Sequence, residues 1–69
     1  VKAGVPDICL PVARGQYQGL YIELKTTKGK VQKNQKEWLN ALNSEGYATK
    51  VCYGWLEAKE AIEKYLELR

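Results

Sequence analysis

Apolar and polar positions alternate strictly over residues 19–25 (GLYIELK), where Leu20, Ile22 and Leu24 interleave with Tyr21, Glu23 and Lys25. A period of two is strand periodicity, with one face packed and the other free for chemistry. Upstream, residues 7–12 (DICLPV) form a shorter apolar run closed by Pro11. The polar stretch between them, ARGQYQ with Gly15 inside it, predicts a hairpin turn. After Lys25 comes a loop, TTKGK, punctuated by Gly29. A helix is predicted over 32–45, with Trp38, Leu39 and Leu42 on one face and Gly46 as its C-terminal cap. Residues 47–53 (YATKVCY) alternate again, Tyr47, Thr49, Val51 and Tyr53 against Ala48, Lys50 and Cys52, until Gly54 breaks the run. From Trp55 onward Leu56, Ile62, Tyr65 and Leu66 recur at helical spacing among Glu and Lys, predicting a final amphipathic helix. The order β-β-α-β-α spans 1–69 as one α/β domain without repeat, linker or low-complexity tract. The aromatic residues at these spacings read as core or interface rather than as base-stacking surfaces, because each ring buries a large apolar area.

Composition narrows the class. A chain of 69 residues buries little surface, and small domains usually need a disulfide, a metal or self-association. Two cysteines and no histidine argue against a disulfide framework and a zinc site; Cys9 and Cys52, both in strand-like runs, read as small core hydrophobes. Self-association remains, and a homodimer is expected. No apolar run is long enough to span a bilayer and no leader precedes the first strand, which predicts a soluble, intracellular, cytoplasmic protein. Val1 as first residue and the lack of methionine predict a piece of a longer chain. Charge is uneven: residues 1–36 carry seven Lys or Arg against Asp7 and Glu23, net +5, whereas 37–69 carry four basic against six acidic groups, net −2. Lys25, Lys28, Lys30, Lys33 and Lys36 crowd the basic half, a footprint suited to nucleic-acid phosphates or simply a solvated surface.

Candidate chemistry sits in that half. Glu23 and Lys25 are two apart on a strand and share a face. A hairpin turning near Gly15 and Gln16 pairs residues whose numbers sum to about 30 to 32, which brings Asp7 beside Glu23 or Lys25. Two carboxylates offer hard oxygen ligands to Mg²⁺ or Mn²⁺, and a neighbouring ammonium suits a water or a charged phosphorus centre. Without histidine, triad mechanisms are excluded within this segment. Either motif alone is weak: Glu-x-Lys on a strand is usually a solvated face, and Pro-Asp often opens a turn.

Together, Gly4-Val5-Pro6-Asp7, Ile22-Glu23-Leu24-Lys25 after a hairpin, a Lys/Gly loop, and Gln35 with Trp38-Leu39 closely resemble the VRR-NUC family of virus-type replication-repair nucleases. That family falls within the PD-(D/E)XK superfamily, and the likeness runs over essentially the whole chain. It implies a restriction-endonuclease-like core whose metal site uses Asp7, Glu23 and the backbone carbonyl of Leu24, with Lys25 catalytic and Gln35 as the helix glutamine beside them. It also implies a further N-terminal helix and strand that this chain does not contain; an acidic residue on that helix would complete the metal site. The function implied is that of a Mg²⁺-dependent DNA endonuclease in which Lys28, Lys30, Lys33 and Lys36 hold the backbone. Stand-alone members resemble homodimers that act on branched DNA such as four-way (Holliday) junctions. Two rivals are a module of the same fold that binds nucleic acid without cutting, and an assembly domain using its aromatic surface.

Overall fold

The computed structural model describes residues 6–26 and 32–69. Five elements follow in order: β1 (Ile8–Leu10), β2 (Leu20–Lys25), α1 (Lys33–Ser44), β3 (Ala48–Tyr53) and α2 (Trp55–Leu66). The predicted β-β-α-β-α order therefore stands, with each boundary within two residues of the periodicity reading. The strands form one sheet in the order β1-β2-β3. β1 runs antiparallel to β2, pairing Ile8 with Ile22, Cys9 with Tyr21 and Leu10 with Leu20. β2 and β3 are parallel, from Leu20 opposite Ala48 to Lys25 opposite Tyr53, with α1 as the crossover.

Successive strand residues point to opposite faces. Leu20, Ile22 and Cys52 are buried together with Ala58 and Tyr65 of α2, while Glu23, Ile22's neighbour in the strand, is met from the other side by Gln35 of α1. The sheet thus lies between the two helices. The buried face of α2 differs from the predicted one. Ala58, Ala61, Ile62 and Tyr65, at i, i+3, i+4 and i+7, face the core, whereas Leu56 and Leu66 are exposed by 68% and 41%. Alanine, not leucine, fits where the helix comes close to the sheet. Cys9 is likewise exposed rather than core, because it shares the face of Asp7 on edge strand β1; Cys52 is fully buried, which pushes its thiol pKa up and keeps it inert.

Glycine and glutamine set the ends. Gly46, at φ +97°, closes α1 with the paired bonds Gly46 N–H to Asn43 O (3.1 Å) and Tyr47 N–H to Leu42 O (3.0 Å), a Schellman arrangement that the sequence signal anticipates. The hairpin tip is a tight turn in which Arg14 and Tyr17 exchange backbone bonds of 3.1 and 2.9 Å around Gly15 and Gln16. Among the described residues, three side-chain hydrogen bonds tie this hairpin end to the rest. Gln18 donates to Glu45 O (2.6 Å) at the end of α1, Arg14 Nε to Leu66 O (3.4 Å) at the end of α2, and Tyr65 Oη to Val12 O (2.6 Å). Both helices thus end at the hairpin and begin at the opposite end of the sheet. Among the described residues no helix is long and apolar enough to cross a membrane.

Candidate active site

At that opposite end, where β2 and β3 finish, five of the residues singled out from sequence come together: Asp7, Glu23, Leu24, Lys25 and Gln35. Strand pairs in the hairpin sum to 30, so extending the register by one residue sets Asp7 opposite Glu23 rather than Lys25. The Asp7 side chain turns onto the backbone: Oδ2 accepts the Leu24 N–H at 2.9 Å, filling a ladder position that β1, which starts at Ile8, leaves open. Because the N–H and C=O of one strand residue point the same lateral way, the Leu24 carbonyl is directed to Asp7's side of β2 as well. The Lys25 carbonyl points the other way and accepts the Gly54 N–H at 3.1 Å.

Glu23 is only 3% exposed, the sole charged residue buried among those described. The expected open working face is therefore roofed at this point by the first turn of α1. Oε2 of Glu23 accepts from Gln35 Nε2 at 3.0 Å and lies 3.7 Å from Lys25 Nζ. Oε1 is buried without a hydrogen-bond partner. Burial pushes the Glu23 carboxyl above the usual glutamate range, contact with the Asp7 carboxyl adds to this, and the Lys25 charge opposes it.

Gln35 has both ends of its amide engaged. Its oxygen accepts the Gln32 N–H at 2.8 Å, the capping-box contact that starts α1, and its nitrogen is thereby aimed at Glu23. One residue both begins the helix and orients the carboxylate, and the Gln-x-x-Gln spacing is the sequence signal for the first task. Gln35→Ala is expected to remove a donor to the charged carboxylate, raising the Glu23 pKa further. In a pH–rate profile the acid limb should move to higher pH, costing roughly tenfold in rate on that limb and little at its alkaline end. An unshifted limb would limit Gln35 to capping.

Mg²⁺ or Mn²⁺, the ions that sequence reading brings in, can be tested against this donor set. Among the described residues no cluster of three or more His, Cys, Asp or Glu side chains occurs. Two carboxylates nevertheless suit Mg²⁺, which keeps several waters and takes one or two carboxylates. A buried, partnerless Glu23 Oε1 is costly unless something positive or hydrogen-bonding meets it, which is how a ligand oxygen stands before its ion arrives. The residues fit.

Lys33 and Lys36 are exposed on the first turns of α1, just beyond Gln32, and Lys28 and Lys30 lie outside the described residues. Sequence reasoning missed Tyr53, which parallel pairing sets directly beside Lys25. Only knowledge of that pairing would have revealed it.

Comparisons with known proteins place the chain in a family. The family model of the VRR-NUC domain matches residues 1–55. A solved structure described as a VRR_NUC domain protein superimposes with a TM-score of 0.94 at 39% sequence identity, over 99% of this chain and 57% of that one. The chain thus spans just over half the length of that solved relative. No curated protein matches it. The family match over most of the chain and the close superposition together make this chain a member of the VRR-NUC domain family, a family of nucleases.

Proposed function

We propose that the chain is the catalytic core of a metal-dependent DNA endonuclease that hydrolyses phosphodiester bonds, acting as a homodimer on branched DNA such as four-way junctions. One observation carries the reading. Asp7 and Glu23 converge from adjacent strands beside Lys25, and a buried Glu23 oxygen is left without a partner. Asp7, Glu23 and the Leu24 carbonyl would hold Mg²⁺ or Mn²⁺. When bound, that ion polarises a phosphoryl oxygen and acidifies a coordinated water. Lys25 Nζ, steered by Glu23 Oε2, orients the attacking water or faces the charge that grows on the pentacoordinate phosphorus. Gln35 keeps Glu23 in place, and the α1 roof excludes bulk water from it. Selectivity for branched DNA, and the dimer that would present two such sites to a junction, rest on the family resemblance. Sedimentation of the intact protein at twice the monomer mass is the corresponding expectation.

The direct test is incubation of the intact protein with supercoiled plasmid, linear duplex and a four-way junction, with and without Mg²⁺ or Mn²⁺. Metal-dependent nicking, fastest on the junction, is expected. Binding without cutting in the presence of metal would leave the non-cutting module instead.

The lysines are assigned to the DNA backbone, and α1 supports this for two of them. Its first turn carries no acidic residue, and Lys33 and Lys36 stand near its positive end, a placement that costs the free helix and suits a bound anion. Replacing both with Ala should weaken DNA binding about equally across sequences and make the salt slope shallower by roughly 0.9 per lost phosphate contact. Unchanged affinity and slope would reduce them to a solvated turn. Lys28 and Lys30 are assigned the same task.

A further inference from the structure

Tyr53, Trp55 and Leu56 are exposed by 38%, 64% and 68%, a concentration of apolar surface at the site's end of the sheet. Tyr53 is the cross-strand partner of Lys25, so the two side chains share a face one inter-strand spacing apart, about 4.8 Å. Gly54, whose N–H is bonded to the Lys25 carbonyl at 3.1 Å, takes φ +94° and turns the chain into α2, with Trp55 as its first residue. Tyr53 therefore stands beside the lysine of the candidate active site, and Trp55 follows two residues on, across the Gly54 turn whose backbone is bonded to that lysine's own carbonyl.

We infer that Tyr53 and Trp55 form a stacking platform for an unpaired nucleobase next to the phosphodiester held at Asp7, Glu23 and Lys25, so that cutting is favoured beside unpaired or branch-point nucleotides. The inference rests on the nuclease reading and adds a specificity device to it. Aromatic rings stack on any base, because every base has a π-face, and a base within a duplex has its faces covered by its neighbours. The platform therefore distinguishes unpaired from paired nucleotides without reading sequence. Local charge favours a base over the backbone here: Glu57, accepting the Tyr53 N–H at 3.0 Å, sets a carboxylate against the Tyr53 backbone that repels phosphate and tolerates a neutral base.

A protein partner fits this surface less well. The exposed apolar residues of the α2 region fall into two groups at its ends, Trp55 and Leu56 against Leu66 and Leu68, separated by most of a helix about 18 Å long. Neither group approaches the roughly 20–30 residues per side of a stable interface.

The test compares the wild-type protein with Trp55→Ala, Tyr53→Ala and Trp55→Phe. The substrates are a splayed DNA whose cut site is flanked by unpaired nucleotides, the same DNA with an abasic residue at that flank, and a fully paired duplex. Trp55→Ala is expected to raise KM on the splayed substrate about tenfold, within the range for losing one base–aromatic stack, with kcat nearly unchanged. Tyr53→Ala should shift KM the same way, and Trp55→Phe should stay within about threefold of wild type. The abasic flank should raise the wild-type KM by a similar factor and add nothing to Trp55→Ala. Equal discrimination between splayed and abasic DNA by wild type and Trp55→Ala would overturn the platform, as would a halved sedimenting mass in Trp55→Ala, which would assign the rings to protein assembly. If the wild type cuts no DNA in Mg²⁺, the nuclease reading fails, and the platform is then judged on binding alone: an unchanged affinity of Trp55→Ala for single-stranded DNA overturns it too.

Discussion

Lys25→Ala is expected to lower the cleavage rate by about a hundredfold or more while leaving Mn²⁺ binding in place. An ammonium cannot ligate a cation, and its removal takes away a positive charge 3.7 Å from Glu23 Oε2, so the ion should bind as tightly as before or more so. The loss falls on the chemical step, on the scale seen when one preorganised transition-state donor is removed. Lys25→Arg should not restore the rate. A planar guanidinium spreads its charge over a fork too wide for a site in which Glu23 is buried and roofed by Gln35, and a compact ammonium is what positions one water there. Titration calorimetry with Mn²⁺ alongside nicking of a four-way junction separates the two effects. Normal cleavage by Lys25→Ala would end the proposed mechanism.

The second large effect concerns the carboxylates, and it has opposite signs for function and for stability. Asp7→Asn and Glu23→Gln should each abolish most cleavage and weaken Mg²⁺ or Mn²⁺ binding, because each removes a negative ligand. In metal-free buffer at neutral pH, however, Glu23→Gln should melt at a higher temperature than the wild type. The Glu23 pKa is raised in the folded state by burial and by Asp7, so the folded protein holds the proton more tightly than the unfolded chain does. That contribution is fully present below the unfolded pKa and is lost as pH rises through the folded one. At neutral pH the wild type therefore carries a buried charge that the variant lacks. A rise of several degrees is expected, since about 1 kcal/mol shifts the midpoint by roughly 4–8 °C in a domain of this size. The wild-type midpoint should fall with rising pH across that window, and the slope should vanish in Glu23→Gln. Asp7→Asn should not share the gain, because its exposed carboxylate is bonded to the Leu24 N–H rather than buried. A lower melting temperature for Glu23→Gln would show that the buried charge is compensated within the free protein, and normal metal binding by both variants would move the ion elsewhere.

How much of this was legible in the sequence depends on the range of the interactions involved. The nearness of Asp7 to Glu23 follows from hairpin arithmetic, because antiparallel pairing across a short connection leaves only one or two registers open. The C-terminal end of α1 was equally readable, because Gly46 is a local signal for local bonds. What could not be read is the product of contacts between elements distant in the chain. Leu56 and Leu66 look like core until the close approach of α2 to the sheet favours Ala58 and Ala61. Cys9 looks like core until its place on an edge strand leaves its face uncovered. Tyr53 and Lys25 are 28 positions apart, and only the parallel pairing of β2 with β3 makes them neighbours. Burial of Glu23 likewise depends on α1 crossing back over the sheet, which alternation within β2 does not disclose.

Both helices begin at the candidate active site and end at the hairpin, and this shared direction polarises the whole molecule. Each helix start carries the equivalent of about half a positive charge, offset at α2 by Glu57 in its first turn, so the attractive field at this end of the domain comes mainly from the α1 start together with Lys25, Lys33 and Lys36 of the basic first half. A polyanion diffusing toward such a particle meets an attractive pole and a weakly repulsive one, and the encounter is biased toward the attractive pole before any atom touches. The consequence lies in association kinetics: at low ionic strength nucleic acid should arrive already facing the carboxylates, and added salt should slow that arrival well before it loosens the complex once formed.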